Sequence, residues 1–124
     1  MHFRPLRIIL ATLVFAGSSA HAEPAPPAVH TEIEALFKKL QASGCEFHRN
    51  GSWYSAAEAQ TQLARKLEYL EGKDLVKSTE DFISLGASKS SSSGEAYLVR
   101  CGASKPVESK TWLQGQLQAL RHRK

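Results

Sequence analysis

The sequence predicts an α+β domain: about four helices packed on a small, three-stranded antiparallel sheet, braced by one disulfide. Three observations carry this reading. Apolar residues recur at helical spacing in several segments, and two of these open on a capping box, Thr31 with Glu34 and Ser55 with Glu58. Asn50-Gly51 stands between two short runs of strand character, the strongest local hairpin signal. Cys45 and Cys101 are the only cysteines, in a chain that carries an export signal.

That signal comes first. Arg4 and Arg7 form a positive n-region, Ile8 to Ala16 an apolar h-region, and Ala20-His21-Ala22 a small-x-small cleavage pattern. Residues 1–22 are therefore expected to be a signal peptide, cut after Ala22, with the mature protein in the periplasm. The apolar run is too short for a membrane span of about 20 residues. Two of the sixteen basic residues leave with the signal and all twelve acidic residues stay, so the mature charge is +2. So mild a balance is no nucleic-acid footprint. An oxidising compartment favours joining the two cysteines. Closing so long a loop is valued at roughly 4 kcal/mol on chain-entropy grounds.

Residues 23–30 hold three prolines in EPAPPA and read as an extended tether, leaving 31–124 as a single domain. The first helix is expected from Thr31, with Ile33, Leu36, Phe37 and Leu40 on one stripe and Gly44 as its stop. Cys45 to Arg49 alternate, Asn50-Gly51 turns, and Ser52 to Tyr54 return. Helix two carries Ala59, Leu63, Leu67 and Leu70, and ends at Gly72. Ser78 leads a short third helix with Phe82, Ile83 and Leu85. After KSSSSG, Tyr97, Val99 and Cys101 share one face of a strand and Ala96 and Leu98 the other, which suits a central strand. Gly102 to Glu108 reads as a loop, and Ser109 starts a last helix bearing Trp112, Leu113, Leu117 and Leu120. The cations Arg121, Arg123 and Lys124 near its end complement the helix dipole.

The pieces CEFHRNGSWYSAAEAQ, STEDFI and SSSSGEAYLVRCG, in that order before a terminal WL helix, resemble the YfeK-like family of small exported bacterial proteins of unknown function. The likeness covers about Glu32 to Leu120. It implies an exported single domain with a disulfide, and it carries over no activity and no catalytic residues.

The residues offer no catalytic constellation of their own. His30, His48 and His122 share no metal-ligand spacing, so no metal or cofactor is expected. A serine nucleophile from Ser90 to Ser93 with His48 as base would need an orienting acid, and the G-x-S-x-G elbow is missing. A small hydrolase is accordingly the third reading, and a non-enzymatic binding protein the first. Ser93-Gly94-Glu95-Ala96-Tyr97 is similar to the S-G-x-x-Y motif of periplasmic lysozyme inhibitors, in which a loop enters the muramidase cleft. That likeness implies a binding loop of Ser90, Ser91, Ser92, Ser93, Gly94 and Tyr97, with a lysozyme-type muramidase as partner. The second reading is an envelope protein that binds peptidoglycan glycan or peptide through Trp53, Tyr54 and Arg49. Exposed aromatic rings can stack on sugars, and an arginine can hold a carboxylate bidentately.

Overall fold

The computed structural model describes residues 25–123. The expected signal peptide lies outside them, as do Glu23 and Pro24 of the expected tether. The element order is α1 (Pro27–Ser43), β1 (Glu46–Arg49), β2 (Ser52–Tyr54), α2 (Ala56–Gly72), α3 (Thr79–Gly86), β3 (Leu98–Arg100), β4 (Val107–Glu108) and α4 (Ser109–Arg121). The α+β class and the four helices stand as expected. The sheet does not: it has four antiparallel strands in the order β2-β1-β3-β4, not three. The added strand is two residues long and follows Pro106, which lacks an N–H and is tolerated beside a sheet edge. A stretch so short has no periodicity to read.

The tether also needs correction. Pro27 occupies the first turn of α1, where its missing N–H leaves no intrahelical bond unmade. The helix therefore starts four residues before Thr31, and Thr31 caps nothing. Ala25 ahead of it is buried, and its N–H bonds the Glu71 carboxylate at the end of α2 at 3.1 Å. At the other end Gly44 takes φ +64°, the left-handed stop expected of it.

The remaining starts follow the sequence signals. The Ser55 hydroxyl accepts the Glu58 N–H at 3.2 Å, and the Ser78 hydroxyl accepts the Asp81 N–H at 3.1 Å. Asn50 and Gly51 both have positive φ, 47° and 86°, as a type I′ hairpin turn requires.

Ile33, Leu36, Phe37 and Leu40 of α1 form the centre of the core. They meet Leu63, Leu67 and Leu70 of α2, Phe82 and Ile83 of α3, and Leu113 and Leu117 of α4. Phe37 and Phe82 pack edge to face, with centroids 5.7 Å apart. Leu85, expected with the apolar side of α3, is instead half exposed. Helices α2 and α4 cover one face of the sheet, where Phe47 and Val99 are buried and Phe47 meets Trp112 edge to face at 5.9 Å. The bond between Cys45 and Cys101 joins the start of β1 to the end of β3. Among the described residues no helix is long and apolar enough to cross a membrane.

Candidate functional site

The serine segment is a closed, hydrogen-bonded loop. Lys89 bridges Ala96, the Ser90 N–H bonds the Glu95 carbonyl at 2.9 Å, and the Gly94 N–H bonds the Ser90 carbonyl at 2.9 Å. Gly94 closes the turn at φ +75°, a conformation that side chains disfavour. Ser90 is almost fully buried at the middle of this loop, and its hydroxyl accepts from the N–H groups of Ser92 and Ser93. Ser91, Ser92, Ser93 and Gly94 are exposed around it.

Two elements hold the loop from outside. Asn50, at the hairpin turn, donates to the Ser90 hydroxyl at 3.1 Å and accepts from the Ser93 hydroxyl at 2.6 Å. A single amide thus uses its donor and its acceptor on two serines of one loop. From α2, the Lys66 ammonium donates to the Lys89 carbonyl at 3.2 Å and to the Tyr97 hydroxyl at 3.0 Å. Tyr97 is buried, and its backbone N–H bonds the Ser88 carbonyl at 3.0 Å. Both ends of the loop are therefore fixed.

Behind the loop, between the covered face of the β1–β2 hairpin and α2, lies a cleft of about 130 Å³. Phe47, Ala59 and Leu63 give it apolar walls; Arg49, Lys66 and Tyr97 supply polar groups. Among the described residues no carboxylate lines it. The Arg49 Nε is buried without a hydrogen-bond partner, and among the described residues its guanidinium makes no ion pair.

The other expected binding residues are divided. Arg49 and Tyr54 line this cleft. Trp53 lies on the opposite face, as alternation along β2 demands. There its ring lies 3.9 Å from the Arg100 guanidinium and 4.9 Å from the His48 ring, and Arg100 pairs with Glu46 at 3.2 Å. Trp53 therefore packs on neither α2 nor α4; it stacks within the uncovered face of the sheet. The structure brings Tyr54, Arg49, Ser91 and Tyr97 together and leaves Trp53 apart. The His48 ring lies against Trp53, although His48 also borders the cleft that Ser91 lines, and the hydroxyls of Ser90 and Ser93 are engaged by Asn50. Among the described residues no three potential metal ligands cluster.

Asn50 and Lys66 were absent from the sequence-derived site. Asn50 read only as a turn former, although among the described residues with positive φ it alone offers both a side-chain donor and an acceptor. Lys66 follows Leu63 by three positions and precedes Leu67, which places it at the margin of the buried stripe, where a long cation can reach round the helix.

Residues 27–121 match the profile of a family of unknown function, DUF5329. The chain belongs to this family. The match takes in every element of the DUF5329 domain from α1 to α4, and so the whole loop and cleft. No curated protein and no solved structure matches the chain.

Proposed function

We propose that this DUF5329 protein is an exported, non-enzymatic binding protein of the bacterial envelope that engages a protein partner through the Ser90–Tyr97 loop. The observation that carries this reading is the double attachment of the loop, by Asn50 and by Lys66, beneath exposed serines. A loop ordered before binding loses little conformational entropy on contact. Ser91 to Gly94 stand exposed, and among the described residues the Ser91 hydroxyl and backbone N–H bond to nothing, donors that suit a partner rich in carboxylates. A muramidase cleft, with its catalytic carboxylates, is such a partner, and the S-G-x-x-Y likeness points the same way. The likeness to YfeK-like exported proteins and the export signal support the periplasmic location. A glycan surface combining Trp53 with Tyr54 and Arg49 would have to span both faces of the sheet, which favours the loop.

The test is a cell-wall lysis assay with c-, g- and i-type lysozymes. The wild-type protein should inhibit at least one type at near-stoichiometric ratio, and the exposed-site variant Ser92→Arg should weaken that inhibition at least tenfold while its melting temperature stays put. Failure to inhibit any of the three would sink the muramidase reading. Export is checked separately: periplasmic extract should contain a chain beginning at Glu23.

A further inference from the structure

We propose that the cleft between the hairpin, α2 and the serine loop is a binding site for a small organic carboxylate with an apolar stem. The proposal stands apart from the muramidase reading, which uses the exposed loop tip rather than the cleft behind it.

Unused hydrogen-bond donors converge on the cleft. An arginine carries five N–H donors and a lysine three, with no acceptor on either. Among the described residues Arg49 uses none of its donors, and its Nε is buried in that condition. Lys66 uses two, on the Lys89 carbonyl and the Tyr97 hydroxyl, and keeps one. The Tyr97 oxygen accepts from Lys66, so its own hydrogen is left to donate. These donors line one cleft, and among the described residues no carboxylate shares it. Two cations with unused donors and no counter-charge favour an anion with at least two acceptor atoms. A carboxylate meets the guanidinium fork with both oxygens, a geometry that an amide or an alcohol lacks.

The apolar walls set the rest of the ligand. The whole cleft is part-open and holds about 130 Å³, with Phe47, Ala59 and Leu63 as its apolar walls. An apolar cavity of about 150 Å³ accommodates benzene. The stem is therefore about the size of a phenyl ring or a short branched alkyl chain. Acetate has the charge but leaves the walls wet.

The test uses the mature protein and four probes at pH 7, followed by amide and arginine Nε–H chemical shifts. The probes are 3-phenylpropionate, its neutral amide, 3-phenylpropylamine and acetate. The expected result is saturable binding of 3-phenylpropionate, with shifts concentrated at Arg49 Nε–H, Leu63, Lys66 and Tyr97. The amide and acetate should bind at least tenfold more weakly, and the amine not at all. Arg49→Gln should reduce the affinity at least tenfold with an otherwise unchanged spectrum. Ala59→Leu, which fills the cleft with apolar atoms and leaves both cations, should abolish binding. The proposal is overturned if 3-phenylpropionate gives no saturable shifts, if the amide binds as well as the acid, or if the shifts fall on the Trp53 face. Ser92→Arg should leave 3-phenylpropionate binding intact, so a failure of the lysis assay and a failure of this one are distinguishable.

Discussion

Replacing Asn50 should release the serine loop without unfolding the domain. Its amide makes two side-chain bonds to the loop, at 3.1 and 2.6 Å, and its backbone sits at φ 47°. Asn50→Gly removes both bonds and keeps the turn, since glycine adopts positive φ freely. Each bond is worth about 1 kcal/mol net, and the exposed Ser93 bond less. Added chain entropy from glycine contributes about 0.5 kcal/mol more. The sum is about 2 kcal/mol, most of it local to the loop. Asn50→Ala loses the same bonds and adds the left-handed penalty, about 1–2 kcal/mol. The difference between the two variants isolates the backbone term. Amide hydrogen exchange reads the local effect. The Ser90 and Gly94 N–H groups close the loop, so in Asn50→Gly they should exchange at least tenfold faster relative to the core amide of Leu67. Unchanged protection at Ser90 and Gly94 would refute the claim that Asn50 holds the loop.

Three further outcomes are expected. Cys45→Ser should lower the melting temperature by roughly 20 °C in oxidising buffer, since about 4 kcal/mol of loop-closure stabilisation spread over about a hundred residues shifts the midpoint by that much; a shift below about 5 °C would leave the cross-link without a stabilising role. Gly86→Ala should cost about 1–3 kcal/mol in urea unfolding, because the new methyl would stand 2.9 Å from the buried Phe82 ring and 3.0 Å from Leu70, and the ring is wedged against Phe37. The third outcome concerns Arg121, which hydrogen-bonds both Glu32 and Glu80 and so holds both carboxyls below their ordinary value of 4.5, against an opposing desolvation effect. Carboxyls depressed in the folded state add stability above their unfolded pKa and lose it as pH falls through the folded one. The groups are partly exposed, so the contribution is under about 1 kcal/mol. The stability gap between wild type and Arg121→Gln should be full at pH 6 and close toward pH 3; a gap that does not change with pH would contradict the pairing.

Local chemistry made most elements legible. Ser55 and Ser78 cap the helices they were expected to cap, Asn50-Gly51 turns as its φ tolerance requires, and the buried stripe of α2 is the one its spacing marked. What escaped was of two kinds. Some residues obey a rule that competes with the obvious one: Pro27 reads as a helix breaker but serves at the first turn, and Val107–Glu108 form too short a pair to show alternation. Others act only through partners far along the chain. Asn50 meets serines forty or more positions away, and Lys66 meets Tyr97 thirty-one positions on, so their roles depend on the pairing of β1 with β3. Alternation along β2 explains why Trp53 and Tyr54, neighbours in sequence, cannot serve one surface.

The position of the disulfide has a topological consequence. Arg49, Asn50, Tyr54, Lys66 and the whole serine loop lie between Cys45 and Cys101, so the chain carrying the loop and cleft is a covalently closed ring, while α1 and α4 hang outside it. An exposed loop tip is where a protease cuts first. A cut among Ser91, Ser92 and Ser93 would open the ring without splitting the molecule, because the two new arms stay bonded through sulfur. Such a nicked protein would run as one species on a non-reducing gel and as two once reduced. A protease could thus sever the serine loop while the remainder of the domain stays in one piece.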